Sequence, residues 1–591
     1  MLGVSATLAA PPNSARDATP VVADQTQTYR FDLERNFFPS ADSEVAARAD
    51  VIRAADEVTT LASELDSPAR LVAAFEAEDR MQRLFRKHDL YLFLRYATDI
   101  RREGGLAAAD ELRGKVRAAR QTLRRAVSAR GRAWITRAIA ERPSLARYGY
   151  WIDTINREAK HMVAPEQQTV LDAVEPLLGA GDYPQTVNAL VFEPVRVDGR
   201  MLDVRRDRAE IEASPSPEIR RQGARAVFAG YGTKRDLLAY MLVRAIKGGD
   251  AVARLKGHGS AVEEAAFEAY VTPAHFEELL AEVARNGAFY KAWQHRVGDP
   301  FASTRRWSLS DAVAAVTVSA APIGSAYQRE FAELLDAENG RADLAGGDNR
   351  LPIAGTASVY PIGSSAIYMN AFEGSLLDLI VLAHEGGHAV QAQLMFRANV
   401  PMVYAAGPGY FTESFGRFQE LLLLDHLHRS ATKPEEKRFF RDALAARLLA
   451  VFASAEEAAV ELAIRRSVGQ GKAHTADDLD AVTASAGAPY SVEYERTPER
   501  RGLWMVSEGY FMAPLQELND AYSSLLAVRY FQLYRNDRRG FAASYLALLS
   551  NGYAAAPDDL LKRRLGLDMT APGFASETIA ALKTELDALY R

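Results

Sequence analysis

Residues 379–393 read LIVLAHEGGHAVQAQ, and this run constrains the fold more than any other. Its flanks are apolar, as in a buried helix, yet His384, Glu385 and His388 put three ionisable groups in its middle. Gly386 and Gly387 weaken the same helix, each by about 1 kcal/mol relative to alanine. On a helix the two imidazoles stand at i and i+4, one turn apart on one face. That spacing suits two ligands of a single Zn2+, with Glu385 close enough to act on a water at the metal. The plainer alternative is a pair of core histidines hydrogen-bonded to neighbours, but it leaves Glu385 buried with nothing to offset its charge. On the metal reading, the two glycines make room for a packing helix or for a substrate backbone.

A four-coordinate catalytic zinc needs a third protein ligand and an open position. The chain has no cysteine, so that ligand is histidine or carboxylate. TESFGRFQE places Glu413 25 residues after His388, and Glu420 seven residues further on the same helix face. The intervening AAGPGY lets the chain turn back antiparallel. Glu413 is therefore the expected third ligand, and Glu420 the carboxylate that orients a ligand imidazole. The alternative, two solvated glutamates, fits poorly with Phe411, Phe415, Phe418 and Leu421 to Leu424 around them. Asp378 reads as a helix cap or as a group on the face of Glu385. His426 and His428 read as helix-terminal residues, and Arg500 and Arg501 as contacts to a peptide carboxylate or as part of a charged loop.

The formal net charge is −6, from 71 Lys+Arg against 77 Asp+Glu in 591 residues. This near balance, without a basic block, argues against a nucleic-acid partner. Arginines between 101 and 145 are dispersed at helical spacing and read as a solvated face. No apolar run is long enough to span a bilayer, so no membrane insertion is expected. Residues 1–28 read either as a disordered tail or as the remnant of an export signal. The compartment therefore stays open between cytoplasm and export to a periplasmic or secreted location.

Residues 29–200 carry apolar positions at helical spacing and are expected as an N-terminal helical domain. Residues 201–591 are expected as a second, mostly helical domain holding the candidate metal site. Within this order LVFEPVRVDGRMLDV reads as a short hairpin turning at Asp198-Gly199, and SPSPEIRRQGARAVF restarts the helices. GRADLAGGDNRLP reads as a loop, and IAGTASVYPIGSSAIYMN as two short strands. The fold class is mostly α, with a small β element beside the metal helix.

HEGGHAVQ, the gap that follows it and the E-x6-E helix resemble the oligoendopeptidase F and thimet oligopeptidase group of zinc metallopeptidases. The resemblance extends to GTASVYPIGSSAIYMN and to the late SNGYAAAPDDLLKRRLGLDMTAPGF, while FEPVRVDGRMLDV suits the oligoendopeptidase F branch. It implies a large helical bowl or clamshell with a deep channel, residues 201–591 as the catalytic domain, and endo-cleavage of short peptides. One part departs. The family carries a C-terminal histidine followed by tyrosines that donate to the oxyanion, whereas WMVSEGYFMAPLQELNDAYSSLLA has no histidine. Tyr522 matches the terminal tyrosine and Tyr510 stands near the missing histidine. Each either serves the oxyanion or only packs.

The implied chemistry is zinc-dependent peptide hydrolysis. Zn2+ polarises the scissile carbonyl, Glu385 relays the water's proton to the leaving amine, and Tyr522 with Tyr510 stabilises the oxyanion. The strand at Gly355, Thr356 and Ala357 pairs with an extended peptide backbone. Two rivals keep the site and change its use. One is an amidohydrolase for a single modified peptide or small amide; the other is a peptide-binding protein whose catalysis is weakened by the missing histidine.

Overall fold

A computed structural model describes residues 28–205, 207–212, 214, 216–294 and 305–591. Apart from Thr28, the segment expected as a tail or signal remnant lies outside the described residues. The fold is mostly helical with a few short strands, as the periodicity predicts.

Three long helices build the N-terminal layer: α1 (Ala41–Ser63), α2 (Pro68–Thr98) and α3 (Gly104–Glu141). Ser40 opens α1, its hydroxyl accepting the Ser43 N–H at 3.1 Å, and Ser67-Pro68 opens α2. Their apolar stripes recur at helical spacing, for example Leu71, Phe75, Met81 and Phe85, and meet in one core with Val51, Val58, Leu112 and Leu123. Not every arginine of α3 faces water. Arg113 and Arg120 reach back to Asp89 and to the buried Glu78 on α2, at 2.7 and 3.0 Å. The expected solvated face is therefore partly a helix–helix contact, because long arginine stems let the charge cross the groove.

The hairpin forms where it is expected. Strands β1 (Val195–Val197) and β2 (Arg200–Leu202) pair antiparallel across Asp198 and Gly199, with φ of 48° and 82°. Two successive positive φ values are what a two-residue hairpin turn needs. A short helix (Arg208–Glu212) follows the hairpin, earlier than the expected restart, and the longer helix Pro217–Gly232 begins behind the cap Ser216.

A second sheet has the order β3-β5-β4, from β3 (Ala342–Asp343), β4 (Thr356–Ala357) and β5 (Ile367–Tyr368). The last two are the expected strands. The first corrects the expectation of a plain loop at GRADLAGGDNRLP: Ala342 and Asp343 run parallel to β5, and Asp343 is held by a buried ion pair to Arg350 at 2.6 Å. A parallel neighbour leaves no hairpin signal in the sequence, so local pattern does not reveal it. β4 stands at the edge of this sheet among the described residues.

Behind the sheet lie α4 (Leu376–Arg397), α5 (Gly409–Ser430), α6 (Pro434–Gly469) and α7 (Gln516–Asn536). A reciprocal capping box starts α4. Ser375 Oγ accepts from Asp378 N, and the Asp378 carboxylate accepts from Ser375 N and Glu373 N. Asp378 is thus a cap, one of its two expected roles. From Leu379 to Met395 every residue of α4 is buried, so the helix is a core element without a polar face. The N-terminal layer meets its far end through Met395, Val400 and Tyr404, while Arg83 donates to Pro361 O and Val400 O, each at 2.8 Å. No helix among the described residues is long and apolar enough to cross a membrane.

Candidate metal centre

Helices α4 and α5 run antiparallel and approach closely, because the contact is made by glycines. A Cβ on Gly387 would stand 3.2 Å from both Gly416 Cα and Phe415 O on α5. A Cβ on Gly416 would stand 2.8 to 2.9 Å from three atoms of the His384 ring, closer than carbon packing allows. Gly386 faces elsewhere, onto the ring of Phe331 in the helix Ser325–Leu334. The room left by both glycines is therefore taken by packing helices rather than by a substrate backbone.

This approach brings three donor atoms together. His384 Nε2 lies 3.1 Å from His388 Nε2 and 3.3 Å from Glu413 Oε2, and the third side of the triangle is 3.8 Å. Ligand atoms on a tetrahedral zinc with bonds of about 2.0–2.1 Å stand about 3.3–3.4 Å apart. The triangle matches that spacing, and its one-carboxylate, two-imidazole donor set suits zinc. It is also the only such cluster of histidines and acids among the described residues.

Electrostatics favour a cation at this point. Burial opposes charge on His384, but Glu413 and Glu420 together more than offset it and hold the imidazole's pKa up at about 10. Burial would likewise raise Glu413, yet His388 and His384 bring it well below the usual carboxylate range. Glu420 Oε1 accepts from His384 Nδ1 at 2.7 Å, which leaves Nε2 as the nitrogen facing the triangle. Burial pushes Glu420 up, while Arg447 and His384 pull it down to about 2.

Glu385 sits beside the triangle. Its Oε1 is buried with no hydrogen-bond partner among the described residues. Burial raises its carboxyl pKa, and the two histidines only partly offset this. Gly355, immediately before β4, packs on it: a Cβ there would lie 3.0 Å from Glu385 Cγ and 2.6 Å from Val381 Cγ1. The structure thus brings His384, His388, Glu413, Glu385, Glu420 and Gly355 to one place, with Thr356 and Ala357 continuing from it along the sheet edge.

Tyr510, Arg500 and Arg501, also weighed for the site, fall elsewhere. Tyr510 is a correction: its hydroxyl donates to Glu457 O at 2.7 Å, inside a separate core with Tyr183, Trp504 and Phe511. Tyr522 is buried against Tyr410, one turn before Glu413, with ring centroids 5.4 Å apart. Its hydroxyl has no partner among the described residues. Arg500 is spent on buried Glu456 at 2.7 Å, and Arg501 lies 3.7 Å from Asp480. His428 bonds the Lys437 carbonyl, at the end of α5.

Three residues escaped the motif reading. Gly416 carries a weak signal, a glycine between phenylalanines in a buried helix. Arg447 on α6, which pairs with Glu420, and Tyr553, whose hydroxyl reaches Gln391 and Thr412, carry no local signal at all.

The comparisons agree with the resemblance read from the motifs. No protein-family model matches the chain. Over 475 residues it is 21% identical to oligopeptidase PepF of Bacillus subtilis, covering 76% of this chain and 70% of that protein. A solved structure from Chlamydophila abortus superposes with a TM-score of 0.76 at 18% identity, covering 95% of this chain and 98% of the other. Oligoendopeptidase-F from Enterococcus faecium gives 0.65 at 16% identity, over 92% and 97%.

Proposed function

We propose that this chain, a member of the oligoendopeptidase F peptidases, is a zinc-dependent oligopeptidase cleaving short peptides internally, with Glu385 as its general base. Its relatives support peptidase activity. One observation carries the finer reading: the triangle of His384 Nε2, His388 Nε2 and Glu413 Oε2, with the unpartnered Glu385 Oε1 beside it. Zinc held by those three atoms would supply Lewis acidity to the scissile carbonyl and to an attacking water.

The residues of the chain do the rest. Glu385, kept dry and raised above the ordinary carboxylate range, takes a proton from the water as its oxygen bonds to the carbonyl carbon. It returns that proton to the amide nitrogen as the C–N bond breaks, leaving a carboxylic acid and a free amine. Glu420 fixes the His384 ring while this happens. The Tyr522 hydroxyl is the remaining tyrosine candidate for the oxyanion.

The sheet edge supplies a place for an extended peptide. Ser358 N donates to Ala366 O, so antiparallel alternation turns the N–H and C=O of Ala357 away from β5. Main-chain pairing there gives affinity with little demand on side chains, which suits a general oligopeptidase. Because Gly355 touches Glu385, a paired peptide enters beside the base.

A second reading, hydrolysis confined to one modified peptide or small amide, is favoured by the loss of Tyr510 to the Glu457 carbonyl. Metal analysis of the purified protein, with mass spectrometry of a digested peptide mixture, separates the readings. One zinc per chain and cuts within many unmodified peptides support the oligopeptidase. Zinc without cleavage of that mixture favours the restricted amidohydrolase, and tight peptide binding without any turnover favours a binding protein.

A further inference from the structure

Helices α4 and α5 are tied at both ends of the metal triangle, and only one tie belongs to the ligand set. At one end His384 meets Glu420 at 2.7 Å. Three residues beyond His388, Gln391 Nε2 donates to the Tyr553 hydroxyl at 3.2 Å, and that hydroxyl shares a 2.6 Å bond with Thr412 Oγ1. Thr412 immediately precedes Glu413. Tyr553 therefore spans from the histidine helix to the glutamate helix, on the side of the triangle opposite Glu420.

The tyrosine is itself held firmly. Its N–H donates to Tyr404 O at 3.0 Å, its ring meets Phe411 edge-on at 5.7 Å, and Gly407 leaves the space its ring fills. Gly387 and Gly416 bring the helices close but, lacking side chains, do nothing to stop one sliding along the other. A slide of a fraction of an ångström would open a triangle whose sides are 3.1 to 3.8 Å. We propose that Tyr553 is a positioning residue for the metal centre, its hydroxyl fixing Glu413 in register with the two histidines through Thr412 and Gln391.

This inference rests on the zinc reading and is tested by zinc binding itself, measured by chelator competition, with thermal unfolding of the metal-free and zinc-loaded forms. Tyr553→Phe keeps the ring and removes the tie, and its zinc Kd is expected to rise about 10–100-fold. Thr412→Val removes the far end of the tie and is expected to match it, whereas Thr412→Ser keeps a hydroxyl and stays near wild type. A purely structural tyrosine would lower the Tm of both forms equally and leave the zinc Kd unchanged. Kd values within twofold of wild type for both Tyr553→Phe and Thr412→Val overturn the inference while leaving the zinc reading intact. Wild-type protein that binds no zinc overturns the zinc reading, and the tie with it.

Discussion

His384 Nδ1 donates to Glu420 Oε1 at 2.7 Å, and this single contact decides which nitrogen of the ring faces Glu413 and His388. Arg447 holds the other oxygen of Glu420, so the carboxylate stays charged in the interior. Replacing Glu420 with Gln removes that charge and weakens its hold on the ring. Zinc affinity is expected to fall about 10–100-fold, as is usual when a partner behind a ligand histidine is lost. Chelator competition measures it, and an unchanged Kd would count against the orienting role.

The glycines of the chain should separate into two kinds. Gly416→Ala forces a methyl into the His384 ring, so zinc binding and stability should both drop, the latter by about 1–3 kcal/mol. Gly114, inside α3, has nothing within 4 Å of its missing Cβ. Gly114→Ala is expected to stabilise the protein by up to about 1 kcal/mol through helix propensity. Urea unfolding of the two variants reads both effects, and equal signs would contradict the packing described.

Ala357→Pro tests the sheet edge. The substitution deletes an N–H that points away from β5, so the sheet should keep its bonds and the Tm should hold. Peptide affinity should weaken by about tenfold or more, the loss of about one main-chain hydrogen bond with added obstruction. An unchanged KM for peptides would remove β4 from the binding site.

Acid should unfasten the N-terminal layer through Glu44. This buried carboxylate links α1 to α2, accepting from Arg48 at 2.7 and 2.8 Å and contacting His88 at 2.9 Å. Burial raises its pKa, but His88 and Arg48 outweigh that and lower it from 4.5 to about 2. A depressed folded pKa means the stabilisation is present above about pH 4.5 and lost as pH falls toward 2. Discounted for solvent around Arg48, it amounts to about 1–2 kcal/mol at neutral pH. Glu44→Gln should therefore cost that much at pH 7 and progressively less as pH falls from about 4.5 toward 2, read by urea unfolding across pH. A cost independent of pH would refute the assignment.

What the residues alone revealed, and what they did not, follows from the range of each interaction. His384, Glu385 and His388 are legible because helix geometry fixes their relation within one turn. Glu413 and Glu420 are legible because a seven-residue spacing shares a face. The turn at Asp198-Gly199 needs only its own two backbone angles. Tyr553 lies far along the chain from Gln391 and Thr412, and Arg447 comes from a third helix, so neither follows from periodicity. Tyr510 shows the limit from the other side. A buried tyrosine near a motif fits either core equally well on pattern, and the carbonyl of Glu457 decided which one took it.

The central claim is that Glu385 works as a base beside a zinc held by His384, His388 and Glu413. Its most direct test is cleavage of a quenched peptide by Glu385→Gln loaded with zinc, beside wild type under the same conditions. The amide keeps the shape and leaves the ligands untouched, so one zinc per chain should remain while the rate falls about 10²–10⁴-fold. Zinc-dependent cleavage at the wild-type rate by that variant would contradict the account.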